Sequence, residues 1–500
     1  MMKWLEIRNQ ERAPWRDVPV ADPADLASDL VEKGDAGHRV VAFFGLREAG
    51  GVRLVAVTAD DDRSLLHAAS AKIPDGGAFP SATPGNPAVH LFEREIFEQF
   101  GVRPEGHPWL KPVRYAWDRA DRSLEPESYP FFAMAGEEVH EVAVGPVHAG
   151  VIEPGHFRFQ CTGERVHHLE IQLGYQHRGV ETLLEAEPQM RDLQRCLLAE
   201  SIAGDSAVAH AWACCGLLEA LGEARVGDRG AALRAVGLEL ERAGNHLGDL
   251  SALCNDVAYL SGSAIFGALR TLTINSSLAL CGSRYGRGLV RPGGVGPDPD
   301  GETAARIRRT LAAVAADAAL IADVVASSAG VLSRMERTGT VSPETARRIG
   351  LVGPAGRASG LPVDVRRSHP VGTYRATALD RVRALGGDVL ARAEVRVQEI
   401  ARSAAMIDAW LGGLPEGSAG CTAIPPAAGA YLAVSMVEGW RGETVHVGIT
   451  DDAGRIARHK VVDPSFHNWF GLALAVRGCG ISDFPLCNKS FNLSYCGFDL

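Results

Sequence analysis

The chain has 500 residues, 46% of them hydrophobic and 22% charged, with a net charge of -10 at neutral pH. That length exceeds a single ordinary core and predicts several domains. The acidic balance argues against nucleic acid as a partner, because binding a polyanion needs a basic excess. Residues 1–22 are broken by Glu6, Arg8, Glu11, Arg12, Arg16 and Asp17, so no signal peptide is expected there.

In chain order, residues 40–44 and 52–57 are rich in valine and aromatics and predict strands. Residues 91–100 carry Phe92, Ile96, Phe97 and Phe100 at helical spacing, and Gly101 is a stop signal. A small α+β domain is therefore expected over 1–117, followed by an acidic, proline-containing linker over 118–140. A second domain over 141–500 opens with strands at 141–147 and 157–161. It continues as long alanine- and leucine-rich helices at 234–260, 303–336 and 377–411. Residues 282–300 and 353–372 predict Gly/Pro-rich loops, and 444–500 predicts a return to strand and loop. The fold class is α+β, with a large, mostly helical second domain.

The longest apolar stretches, 311–332 and 423–437, are interrupted by Asp317 and Asp323 and by Pro425 and Pro426. Neither predicts a bilayer-spanning helix, so any membrane role is expected to come through partner subunits. None of the ten cysteines forms a C-x-x-C pair, and adjacent Cys214 and Cys215 face different sides of a helix. No metal site is predicted from them, and unpaired buried thiols act as small hydrophobes. Gly293 and Gly294 lie in a proline-flanked loop rather than after a strand, so no nicotinamide site is expected in this chain.

Three groups of motifs carry a family resemblance. Leu91-Phe-Glu-Arg-Glu-Ile-Phe-Glu-Gln-Phe-Gly101 followed by Gly106-His-Pro108 resembles the C-type component of bacterial complex I. Gly145-Pro-Val-His148, Glu153-Pro-Gly-His-Phe-Arg158 and Gly174-Tyr-Gln-His-Arg-Gly-Val-Glu181 resemble the D-type component of complex I and group 4 [NiFe]-hydrogenase large subunits. So do Glu239-Leu-Glu-Arg-Ala-Gly-Asn-His-Leu247, Arg291-Pro-Gly-Gly-Val295, Arg357-Ala-Ser-Gly360 and Asp463-Pro-Ser-Phe-His-Asn-Trp469. Asn488-Lys-Ser-Phe-Asn-Leu-Ser-Tyr495 is similar to the tail of formate-hydrogenlyase and hydrogenase-4 type large subunits. The resemblance runs in the family's order from about residue 40 to the end, as a C-type domain fused to a D-type domain.

The resemblance implies a nickel–iron site held by two C-x-x-C pairs, and this chain departs from it. The early pair falls at Ala203 and Ser206, the late pair at Ser465 and Asn468. None is the soft thiolate that such a site selects, so hydrogen chemistry is not expected and no metal ligand is assigned. Of the quinone ligands that complex I implies, the histidine falls at Pro154 and the tyrosine at or near Ala203. His156, two positions on, is the candidate substitute.

Other implied roles survive. Arg178 matches the arginine beside the terminal [4Fe-4S] cluster of the iron–sulfur small subunit, where a fixed positive charge raises the cluster potential. Glu153 resembles the proton-relaying glutamate of hydrogenases, and reads equally as a turn-capping carboxylate. His177, Arg291 and Asp463 are further candidates for cofactor contact, with Asp463 at the turn before Pro464. His246 reads as a hydrogen-bonded core histidine. The expected function is an electron-transfer subunit of an NADH:quinone-oxidoreductase-like or hydrogenase-4-like complex, with a redox-inactive coupling subunit as the alternative. A quinone is the candidate acceptor, and NAD would bind only another subunit. The partners implied are a complex I B-type iron–sulfur subunit, other hydrophilic subunits and integral membrane subunits. The expected location is the cytoplasmic face of the cell membrane, as a peripheral subunit.

Overall fold

A computed structural model describes residues 2–148, 152–186, 190–427 and 429–500. Near the N-terminus, Arg39–Glu48, Gly51–Asp60 and Leu65–Pro74 form an antiparallel meander, with Leu5–Ile7 on its outer edge. These strands are buried on both faces, which is why they read as continuous apolar runs rather than alternating ones. Helices Pro23–Asp35 and His90–Phe100 pack on the sheet, while Arg39–Glu48 also touches strands near the other end of the chain. The helix over 90–100 ends as expected, with Gly101 in the left-handed conformation.

The larger part contains a four-helix bundle of Asp228–Asp256, Leu260–Cys281, Gly301–Ala326 and Val389–Gly412, each helix packed on two others in a closed ring. Beside it, Tyr431–Gly439, Gly442–Thr450 and Ile456–Val462 form an antiparallel sheet. Helix Ala207–Leu221, buried along its whole length, lies on that sheet. A third sheet joins Val139–Val144, His156–Thr162 and Arg165–Gln172.

Several elements differ from the sequence reading. The helix expected from 377 starts at Val389, where the Asp388 side chain accepts from the Ala391 amide and caps it. The helix expected over 303–336 bends by 85° between Gly301–Ala326 and Ala329–Met335. The tail turns helical after Val462, at Pro464–Ala475, Phe484–Phe491 and Tyr495–Asp499, because Asp463 and Ser494 each cap a helix start. The loop expected over 353–372 holds two short helices, Gly353–Ala358 and Val365–Ser368. Among the described residues, helix Leu260–Cys281 is, by length and composition, apolar enough to cross a membrane, and the bent pair Gly301–Ala326 and Ala329–Met335, which holds the 311–332 stretch, is so only when its two helices are taken together. In Leu260–Cys281, buried residues Gly262, Phe266, Leu269, Thr273, Ser276 and Leu280 recur at helical spacing toward its neighbours.

The two predicted domains are joined by buried bonds. Strand Arg12–Pro14 pairs with Tyr431–Ala433 at the edge of the C-terminal sheet. Buried Lys460 bonds Glu95 at 2.7 Å and Glu181 at 2.9 Å, and Arg39 pairs with Glu443 at 2.6 Å. The stretch expected as a linker is also tied down. Arg119 donates to the Tyr115, Ala116 and Leu124 carbonyls, and the Phe132 amide donates to Glu170.

Candidate functional site

The positions where the resemblance puts the metal ligands converge, but on different chemistry. Ser206 precedes helix Ala207–Leu221, and Ser465 opens helix Pro464–Ala475. Between them Arg441 makes a two-pronged pair with Asp205, at 2.6 and 2.8 Å, and donates to the Ser206 hydroxyl and the Asn492 carbonyl. The Ser465 hydroxyl accepts from the Ser494 amide at 2.9 Å. Asn468 brackets the Val352 backbone through both ends of its amide. Ala203, Ser206, Ser465 and Asn468 are all buried. The hydroxyls and the amide are already engaged in protein hydrogen bonds and none is a thiolate, so this donor set does not fit a nickel–iron centre.

Asp463 stands behind this cluster. One oxygen caps the Ser465 amide at 2.7 Å, and the other accepts from His210 Nε2 at 3.0 Å. Burial pushes its pKa up, but the His210 hydrogen bond and the nearby Arg441 charge outweigh that and hold it below the usual range.

Arg178, His177 and Glu153 gather at the C-terminal segment. Exposed Arg178 is pinned by the carbonyls of Ser201, Ile202 and Cys496 at 2.8–3.2 Å. His177 Nδ1 bonds the Asp499 carbonyl at 2.8 Å, and burial lowers its pKa. Glu153 faces the Cys496 thiol, which burial and that carboxylate push up to about 12. Asp499, which the sequence reading did not single out, accepts from the Gly174 and Gln176 amides at 2.7 and 2.8 Å. Burial raises its pKa to about 7, the amide bonds and Arg114 hold it back, and Glu153 pushes it up further. Its signal was positional: a lone carboxylate in an apolar tail.

Arg291 lies on the hairpin Val290–Arg291/Gly294–Val295, exposed, with Nε toward the Gly288 carbonyl. It acts with Arg287 on Glu200, one residue before the carbonyls that hold Arg178. His156 does not join the cluster at 203–206. Its Nδ1 pairs with the Gly145 carbonyl, its Nε2 accepts from Arg158, and its ring packs on Phe131. Instead a polar cleft of about 860 Å³ reaches Asp205, lined also by Asp249, Arg270, Tyr285, Arg287 and Lys489.

His246 is a core histidine, bonded to Glu399 at 2.6 Å. Two of the resemblance motifs meet in its buried network, where Arg357 pairs with Glu399 and Glu438, and Arg242 with Glu239.

A helical bundle and sheet fused to a small α+β domain match the class of large subunits shared by complex I and hydrogenases. The family described as respiratory-chain NADH dehydrogenase, 30 Kd subunit matches residues 39–121, and that described as the 49 Kd subunit matches residues 256–428. The chain is 31% identical to formate hydrogenlyase subunit 5 of Escherichia coli K12 over 438 residues, covering 83% of this chain and 76% of that protein. It is 29% identical to hydrogenase-4 component G of the same organism, covering 84% and 76%. It is 27% identical to the fused C/D component of the NADH-quinone oxidoreductase of Bacteroides thetaiotaomicron, covering 88% and 86%. In fold it is similar to a chain of an archaeal membrane-bound sulfane sulfur reductase, with a TM-score of 0.67 and 22% identity over 74% of this chain and 100% of that one. The chain belongs to the family of fused 30-kDa/49-kDa-type subunits that includes group 4 hydrogenase large subunits, and is a subunit of a multi-subunit oxidoreductase.

Proposed function

We propose that this chain is the electron-transfer subunit of a membrane-associated, NADH:quinone-oxidoreductase-like or hydrogenase-4-like complex. It docks on an iron–sulfur small subunit and couples redox to integral membrane partners, on the cytoplasmic face of the cell membrane. The observation that carries this reading is Arg178, an exposed guanidinium fixed by three backbone carbonyls. A cation so held cannot swing away from a docked partner, and its field stabilises an added electron on a [4Fe-4S] cluster there. The acceptor is a quinone, received by the polar cleft at Asp205 rather than by His156. Asp499 handles its protons with Glu153 beside it, since the Asp499 carboxyl, with a pKa near 7, both gives and takes a proton at neutral pH. Any NAD binds another subunit.

A second reading, a redox-inactive coupling subunit, is favoured by Ser465 and Asn468, whose buried side chains are bonded to the backbone of Ser494 and Val352. One experiment separates the two. The intact complex is purified from membranes, its iron and nickel are measured, and quinone reduction is assayed in wild type and Arg178→Ala. Iron without nickel, with reduction slowed at least about tenfold in the variant, supports electron transfer. Iron without nickel and no quinone reduction in an intact complex supports the coupling subunit. Stoichiometric nickel overturns both.

A further inference from the structure

A second cluster of metal-binding residue types lies behind Asp463. His210 and Cys214 are four residues apart on helix Ala207–Leu221 and so share a face. His446 lies on strand Gly442–Thr450 and His459 on its neighbour, Ile456–Val462. His459 pairs with Gly448 across the ladder, and 446 and 448 point the same way, so both imidazoles project from one face of the sheet. One donor atom from each of Cys214, His446 and His459 lies within 4.8 Å of the others, and all three residues are buried.

Asp463 fixes the hydrogens in this cluster. Its ionised carboxylate only accepts, so His210 carries its proton on Nε2 and offers a lone pair at Nδ1. His446 Nε2 stands 3.3 Å from that Nδ1 and must donate to it, which leaves His446 Nδ1 as a lone pair. His459 Nε2 lies 2.8 Å from His446 Nδ1. If His459 donates there, its own Nδ1 becomes a buried lone pair, and that atom has no hydrogen-bond partner among the described residues. The chain of imidazoles therefore ends on an unsatisfied acceptor, a cost that native interiors rarely carry. A cation that takes the His446 Nδ1 lone pair, with a His459 lone pair and the thiolate beside it, replaces the His446–His459 hydrogen bond by metal–nitrogen bonds.

We propose that Cys214, His446 and His459 form a binding site for one soft d10 metal ion, divalent zinc or monovalent copper. One thiolate with two imidazoles is the donor set that such ions favour. His446 already has the outer support typical of a ligating histidine, because its second nitrogen is held by His210 and His210 by Asp463. Both buried imidazoles coordinate in the neutral form. Coordination as the thiolate displaces the Cys214 proton, so binding releases one proton to solvent. Buried Glu181, whose field reaches both histidines, balances the added charge. The site ties helix Ala207–Leu221 to the sheet, one histidine away from Asp463.

The purified full-length chain is stripped with a chelator and titrated separately with Zn²⁺ and Cu⁺ under reducing conditions. Proton release and X-ray absorption at the metal edge are recorded. About one ion per chain, one proton released per ion, and a shell of one sulfur and two nitrogens is the expected result; whichever ion binds more tightly is the resident. Cys214→Ser and His459→Phe, confirmed as folded by circular dichroism, lower affinity at least about tenfold. Failure of the wild-type chain to bind either ion stoichiometrically overturns the proposal and leaves a stack of hydrogen-bonded histidines. Unchanged binding in folded His459→Phe overturns it as well.

Discussion

Glu241 illustrates how burial sets chemistry one residue at a time. Its carboxylate accepts from the Val208 and Ala209 amides at the start of helix Ala207–Leu221. Burial nonetheless raises its pKa to about 8, with neighbouring Asp205 adding to the effect. The unfolded chain gives up this proton near pH 4.5, well before the folded chain does. The associated stability is therefore complete below about pH 4.5 and lost as pH rises to about 8. Glu241→Gln should remove that slope, which amounts to on the order of 4 kcal/mol in wild type. Urea unfolding from pH 5 to 8 checks it: parallel curves for the two proteins would contradict the assignment.

Among the elements, the start of helix Val389–Gly412 rests on one side chain. Asp388 caps the Ala391 amide with one oxygen and accepts from the Arg337 amide with the other, both at 2.8 Å. Asp388→Ala is expected to cost about 1–2 kcal/mol, measured as a lower urea midpoint at unchanged m-value. A different constraint seats the short helix Gly353–Ala358. Gly353 has φ +62°, and a Cβ there would collide with the Arg441 carbonyl. Any larger residue would push against the turn that aims Arg441 at Asp205, so this glycine links the short helix to the Arg441–Asp205 pair.

For the whole molecule, the buried pairs Lys460–Glu95 and Arg39–Glu443 and the strand pairing of 12–14 with 431–433 bind the two domains into one unit. The full chain is therefore expected to unfold in a single calorimetric transition despite its two-domain ancestry. Deleting residues 2–14 strips a strand from the C-terminal sheet edge and removes the Asn9 bonds to His369 and Met436. That deletion should lower the midpoint of the one transition, and two separated transitions in wild type would refute the coupling.

The order of family motifs, the helix ending at Gly101 and the core role of His246 were all legible in the residues themselves. Each depends on local spacing or on residue type, which the chain carries in one dimension. The late start of the helix at Val389 was not legible, because residues 377–388 have helical composition and only the Asp388 cap and the preceding Gly386-Gly387 set the boundary. The helical tail was missed for a related reason: its helices are short and depend on caps at Asp463 and Ser494. The sequence also placed His156 near the ancestral cavity, whereas its strand turns the ring toward Gly145 and Phe131. Only the tertiary structure could bring Asp205 to Arg441, Glu153 to Cys496, or Cys214 to two histidines more than 200 residues away. Spacing along a chain fixes which side chains share a helix or strand face; which faces meet is decided by burial of the core as a whole.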